Sequence, residues 1–322
     1  MWYLIPAILI SIFIILSYGC FRKCFYAANR KPTDPYKPLR GPQYQEVKEK
    51  MLENTRFMDG LAFEGVTITS FDGTRLFGRY YHHKDGAPVM IFFHGYRSAA
   101  LRDGAGGFRL NKNLGINVLA VDQRAHGQSG GHVITFGVKE QYDCLCWAEY
   151  AAQRFGANTP IILSGLSMGA ATVIMATALP LPPSVCCVLA DCPYSSPKEI
   201  VCTVSRDLGF PAWLSYPFLW FGARIFGSFD LSSGGAAAVA GSCSLPAMIF
   251  HGEDDRLVPC EMGREISNNS DGHIAVETFP YAGHGLSYMI DPARYEMCYT
   301  NFLRSVPALS RHFAQIGNAV DV

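Results

Sequence analysis

The stretch Gly165-Leu166-Ser167-Met168-Gly169 constrains this chain more than any other. It sits between a short apolar run, Pro160-Ile161-Ile162-Leu163, and a helix-like run over 170–176. A G-x-S-x-G between strand and helix predicts a sharp turn that lifts the serine hydroxyl clear of a sheet. The two glycines answer a steric demand, because side chains there would meet the neighbouring strand and helix. A helix starting at the serine also aims unpaired N–H groups and a partial positive charge at the hydroxyl. Alone the pentapeptide is a moderate signal. What strengthens it is a set of partners downstream in a fixed order.

Those partners are an acid and a histidine, each placed just after a strand. Residues 245–250 read as a buried strand, followed by the turn His251-Gly252-Glu253-Asp254-Asp255-Arg256-Leu257-Val258-Pro259. Residues 274–279 alternate as a strand does and run into Gly283-His284-Gly285. Serine, acid, histidine is the chain order of the α/β-hydrolases. On these marks, with Phe92-Phe93-His94-Gly95 and the segment 122–129, the chain resembles the α/β-hydrolase family over about 63–302. Within it, the resemblance is to the branch of bacterial esterases, monoacylglycerol-lipase-like and serine aminopeptidase-like proteins.

The residue types set the expected chemistry. Ser167 is the candidate nucleophile and His284 the base that takes its proton. The family pattern His-Gly-x-x-Asp-x-x-Val-Pro puts the orienting acid at Asp255. Asp254 is the adjacent alternative, with a turn residue bonding its own backbone as its plainer reading. Asp191, after an earlier strand, is a third candidate, expected instead to cap the segment that follows. A tetrahedral intermediate needs N–H donors, each worth ~10²–10³ in rate. One is the backbone N–H of Met168; by resemblance the other is that of Tyr96, whose side chain is expected in the acyl pocket.

Other motifs carry less. His94, His126 and His251 each precede a glycine or lie at a strand end, where a histidine usually ties loops together. His82 and His83 are adjacent and so face opposite sides of a strand. No H-E-x-x-H or C-x-x-C occurs, and neither metal nor other cofactor is expected. Gly104-Ala105-Gly106-Gly107 lacks dinucleotide-binding spacing and reads as a loop. With 27 basic and 27 acidic residues, no charge balance favours nucleic acid.

The N-terminus gives a second message. Residues 1–19 hold no charge, and about twenty helical residues span the ~30 Å of a bilayer core. Trp2, Tyr3 and Tyr18 flank the run, and Arg22, Lys23, Arg30, Lys31, Lys37 and Arg40 follow it. The expectation is a single-pass anchor with the catalytic domain in the cytoplasm. Residues 16–20 bear a faint likeness to a lipoprotein cleavage box ending at Cys20, although Ser17 and Tyr18 fit it poorly. Eleven cysteines without framework spacing read as small reduced hydrophobes.

The expected organisation is an anchor over 1–21, a linker and approach helix over 22–60, and a hydrolase core over 61–195 and 245–322. The approach helix is expected at 43–59 and a proline-broken linker at 31–38. Strands are predicted at 63–69, 75–82, 88–93, 116–122, 160–164, 185–191, 246–250 and 275–279. The first two are joined through Asp72-Gly73 as an antiparallel edge, and helices intervene elsewhere, for example at 139–155 and from Asp291-Pro292 onward. That pattern implies a mostly parallel sheet with helices on both faces. Residues 196–244 interrupt it where the family inserts a lid, rich in aromatics from Phe210 to Phe229. Most are expected to pack the lid onto the body and two or three to line an acyl pocket.

The expected activity is hydrolysis of a small-molecule acyl ester through an acyl-enzyme, with the triad lying wholly downstream of the membrane helix. Peptide, amide or thioester cleavage is the alternative on the same triad. A silent binding protein of the same fold is an alternative of a different class.

Overall fold

The computed structural model describes residues 4–27, 33–37, 39 and 41–320. Trp2, Tyr3, Arg30, Lys31 and Arg40 lie outside the described residues, as do Pro32 and Pro38 of the expected linker. Eight strands form one sheet: β1 (Glu64–Thr69), β2 (Arg75–Tyr81), β3 (Val89–Phe93), β4 (Asn117–Asp122), β5 (Ile161–Leu166), β6 (Val185–Asp191), β7 (Ala247–Gly252) and β8 (Ile274–Phe279). Their spatial order is β1-β2-β4-β3-β5-β6-β7-β8. β2 runs antiparallel to both β1 and β4, and every other pair is parallel. The eight predicted strands are therefore all present, with the hairpin at the edge.

Helices cover both faces, because successive side chains of each central strand point opposite ways. Val89, Ile91 and Phe93 of β3 meet Trp147 and Ala148 of α4 (Glu140–Phe155) and Val173 of α5 (Met168–Ala176). Met90, between them, joins Ile162, Leu189 and Phe250 under Leu110 of α3 (Ala100–Asn113) and Tyr295, Tyr299 and Leu303 of α11 (Pro292–Ser305). The expected 43–59 helix is a single turn at Pro42–Tyr44 followed by α2 (Lys48–Asp59). The remaining helices are α9 (Cys260–Asn268), the short α10 (Ser287–Ile290) and α12 (Ser310–Val320).

One loop expectation is overturned. Residues 104–107 lie inside α3, not in a loop. Each glycine there costs about 1 kcal/mol of helix propensity relative to alanine. Packing outweighs that cost: Ala105 and Phe108 of α3 are buried against Met58, Tyr81, Val118 and Ala120.

Between β6 and β7 the alternation does stop, and three helices intervene: α6 (Pro197–Asp207), α7 (Ala212–Phe226) and α8 (Ala236–Val239). Ser196 caps α6 by accepting from the Glu199 N–H at 3.1 Å. The N-terminal helix α1 (Leu4–Cys24) is long and apolar enough to cross a membrane. It does not stand alone. Phe13 packs on Phe218 and Phe221 of α7, and Tyr18 and Phe21 on Phe226. Gly222 approaches Ser17 so closely that a Cβ there would sit 2.6 Å from the Ser17 carbonyl oxygen.

The chain after α1 is also built into the body. Phe25 is fully buried with Ile134, Phe136 and Phe229, and Tyr26 bridges Val133. Residues 22–27, expected to begin a linker, thus belong to the packed domain. Burying a Phe side chain contributes about 1.5–3 kcal/mol, which makes Phe21 and Phe25 substantial ties.

Candidate active site

The site forms where β5 ends and α5 begins. Ser167 occupies the turn with φ 56° and ψ −112°, a left-handed region that non-glycine residues avoid. Such strain costs of order 1–3 kcal/mol and persists only where the surroundings enforce it. Here they do. A Cβ on Gly169 would run into the Phe93 carbonyl at the end of β3, and one on Gly165 into the backbone of Gly169. The Ser167 N–H is held by the Asp191 carbonyl of β6 at 2.8 Å.

His284, from the loop after β8, places Nε2 3.0 Å from Ser167 Oγ and Nδ1 2.7 Å from Asp255 Oδ2. The other Asp255 oxygen accepts from the Leu257 and Val258 N–H groups at 2.9 and 2.8 Å, so the turn after β7 fixes the carboxylate. Burial alone would lower the His284 pKa, but the hydrogen bond and charge of Asp255 outweigh it and leave it raised. Asp254 is exposed to solvent, outside this relay. Asp191 lines the same cavity without bonding His284. Its Oδ2 accepts from the Tyr295 hydroxyl at 3.4 Å, not from a cap position, and burial pushes its carboxyl up to about 7.

Met168 is the first residue of α5, where a backbone N–H has no acceptor inside the helix. Tyr96 lies across from it in the loop after β3, and both Tyr96 and Ser167 line the cavity. Three side chains hold that loop. Asp103 accepts from the Gly95 N–H at 2.8 Å, His126 Nε2 accepts from the Arg97 N–H at 2.9 Å, and His94 Nε2 accepts from the Gln123 N–H at 3.1 Å. Burial pushes His126 down to about 3, so it stays a neutral acceptor. His251 likewise ties the acid turn, donating to the Val258 carbonyl at 2.9 Å. Asp103 escaped the sequence reading, because an aspartate in a helix's first turn carries no mark of what it will bind.

A fourth restraint comes from the N-terminus. The Tyr96 hydroxyl donates to the Cys24 carbonyl at 2.7 Å, and the Arg97 guanidinium donates to the Lys23 carbonyl. The end of the apolar helix is thereby bonded to the loop opposite Met168.

A cavity of about 350 Å³ opens from Ser167 and His284 beneath α3. Met51 and Met58 of α2, Phe92, Phe108 and Met289 give it an apolar wall, and Gly104, Gly106 and Gly107 leave it room. No residue of 196–244 lines it. The aromatics expected to supply pocket wall from that segment instead pack on α1 or face outward: Phe218, Phe221 and Phe226 contact α1, and Trp213 is 78% exposed.

Residues 85–231 match the family described as serine aminopeptidase, S33. The chain is 24% identical over 254 residues to the uncharacterized protein YqkD of Bacillus subtilis, covering 79% of this chain and 82% of that one. It is 30% identical over 197 residues to human Protein ABHD12B, covering 57% of this chain and 50% of that one. It is 25% identical over 238 residues to the lysophosphatidylserine lipase ABHD12 of Danio rerio, covering 68% of this chain. It spans 50% and 58% of those two vertebrate proteins. Among solved structures, the Pyrococcus furiosus esterase Pf2001 superposes with a TM-score of 0.62 at 23% identity, covering 78% of this chain and 93% of that one. The α/β-hydrolase GrgF from Penicillium gives 0.59 at 18%, covering 77% of this chain and 100% of that one. Identities this low speak for the fold. With the Ser167–His284–Asp255 arrangement, these likenesses show an α/β-hydrolase fold of serine-hydrolase type, similar over residues 85–231 to the S33 family.

Proposed function

We propose that the protein cleaves carboxylic esters through an acyl-enzyme on Ser167, and that the bonded series Ser167–His284–Asp255 carries this reading. His284 takes the serine proton during attack and returns it to the leaving alcohol; Asp255 holds the imidazole in the right tautomer and stabilises its charged form. The backbone N–H groups of Met168 and Tyr96 receive the oxyanion. The acyl chain lies in the apolar cavity beneath α3, where each buried CH₂ contributes ~0.8 kcal/mol. The lipase activity in the name of the Danio rerio relative supports a lipid-derived ester.

α1 anchors the domain in a membrane, and Arg22, Lys23 and Lys37 after it favour the cytoplasmic side. α6 to α8 take the place of the expected lid, with α7 packed on α1 and away from the cavity. Reaction with a fluorophosphonate probe, abolished by Ser167→Ala, tests the nucleophile and separates an enzyme from a silent binding protein. The aminopeptidase description of the matched family favours one competing substrate class. p-Nitrophenyl esters run beside aminoacyl nitroanilides decide between the two, and preference for the nitroanilides would overturn the esterase reading.

A further inference from the structure

We propose that α7 and the turn before it lie in the same bilayer leaflet as the second half of α1, so that the lipid surface is met by a two-helix face. The inference rests on the reading of α1 as a membrane span.

The first observation is one of length. α1 has 21 residues, and at 1.5 Å per residue it is just long enough for a hydrocarbon core of ~30 Å. Its first charged residue is Arg22, so the stretch from Phe13 to Phe21 cannot be spared as a stalk outside the lipid. That same stretch is where α7 packs: Phe13 on Phe218 and Phe221, Ser17 against Gly222, Phe21 on Phe226. A membrane crossed by α1 therefore contains, at that depth, the α7 residues in contact with it. Small residues at the closest approach, Ser17 and Gly222, are the usual means by which helices meet in lipid.

The second observation is surface chemistry. Residues 208–223 hold no charge, and Leu208, Phe210, Trp213, Leu214 and Ile225 are all exposed, Trp213 by 78%. Elsewhere on the domain, apart from the pair Phe71 and Tyr142, exposed large apolar residues are fewer and scattered, for example Phe63, Leu257 and Met297. A concentrated patch of this kind marks a surface meant to be covered. Its continuity with α1 identifies the cover as lipid.

The third observation is where polarity returns. Arg224 pairs with Asp230 at 2.8 Å, and Trp220 Nε1 donates to the same carboxylate at 3.0 Å. These groups lie beside Phe226, which packs on Tyr18 and Phe21 just before Arg22. Both helices thus turn polar at a shared level, as two elements leaving one hydrocarbon layer do. Arg206 and Asp207 precede the turn at the other end of α7, and the twelve helical residues from Ala212 to Ala223 are too few for a separate crossing. α7 enters one leaflet and the chain turns back, with Trp220 at the interface beside Arg224 and Asp230 and Trp213 deeper, near the turn.

The test uses the full chain in phosphatidylcholine nanodiscs carrying one copy each. A fluorescent amino acid is incorporated at position 8, 214 or 71, and lipids brominated along the acyl chain serve as quencher. Fluorophosphonate labelling shows that each variant is folded. The expected result is at least twofold quenching at positions 8 and 214 with none at 71. Quenching at 8 but not at 214 would overturn the placement of α7 while leaving the span intact. Absence of quenching at both would overturn the span as well. Cross-linking between positions 214 of two copies in vesicles, with 214 unquenched in single-copy discs, would assign the face to self-association and also overturn the proposal.

Discussion

Two apolar surfaces flank the reactive serine, and they differ in shape more than in composition. The one beneath α3 is concave, walled by Met51, Met58, Phe92 and Phe108, and it opens on Ser167. The other, built from α1 and α7, is convex, richer in aromatic rings, and turned away from the cavity. Aromatic density does not make a pocket. The concave side exists because Gly104, Gly106 and Gly107 present no side chains to it, whereas on the convex side Phe13, Phe218 and Phe221 fill the space between two helices. Small residues create volume for a ligand, and large ones create area for a neighbour.

Substitutions at the mouth of the concave side carry the largest expected effects. Ser167→Ala or His284→Ala is expected to lower p-nitrophenyl acetate turnover by several decades in folded protein. The double variant should lose little more, since such residues act as a unit. Near-normal turnover in folded Ser167→Ala would leave the concave side a binding groove. Asp255→Asn is expected to cost about 10⁴ in kcat, and exposed Asp254→Asn less than about twofold. The reverse ranking would mean that the turn had been read in the wrong register.

The next expectation concerns the convex side. A chain lacking residues 1–27 loses the acceptors for Tyr96 and Arg97 and the buried Phe21 and Phe25. Turnover should fall by about 10²-fold, the scale of a lost oxyanion donor, alongside a lower Tm. A fully active truncated domain would show the two surfaces to be independent. Tyr96→Phe isolates one of those bonds and should cost only about 2–10-fold, the value of a single hydrogen bond.

Smaller effects sharpen the contrast. Along a series of p-nitrophenyl esters, kcat/KM should climb about fourfold per added CH₂ until the cavity is full. Gly106→Leu should bring that limit to shorter chains, while Trp213→Ala should leave the profile of soluble esters unchanged. A profile altered by Trp213→Ala alone would put the acyl site on the wrong side. The smallest effect is on pH. His284 must be neutral to act as base, so kcat/KM is lost as pH falls through its raised pKa. Asp191, whose carboxyl burial pushes up to about 7, favours the protonated imidazole through a negative charge carried only at the upper end of that limb. Asp191→Asn should therefore move the acid limb to lower pH.

Much of the core could be read from the chain because its signals are local. The runs at 89–93 and 247–252 are short, apolar and punctuated by glycine or proline, and the elbow is pinned by two glycines whose neighbours leave no alternative. His284 followed from its place after a strand, and the choice of Asp255 over Asp254 from the family pattern of that turn. What stayed hidden depends on tertiary contact. The glycines of α3 read as a loop because propensity speaks first in a sequence, and only the burial of Ala105 and Phe108 reverses it. The partnership of α1 with α7 was equally invisible. A uniformly apolar helix has no polar face to betray which side is covered, and the notch at Ser17 matters only once Gly222 is known to fill it.

That notch also orders events during synthesis. Ser17 leaves the ribosome about 200 residues before Gly222, a delay of roughly 10–40 s at ~5–20 residues per second. The first helix must therefore wait while the first six strands are made behind it. The contacts between Tyr96, Arg97 and the end of that helix join the earliest part of the chain to the loop after β3. Anything that captures α7 late in translation leaves a nascent protein with its first helix formed but unpaired. The quality of folding would then be decided late in chain completion, long after the first turn of helix has formed.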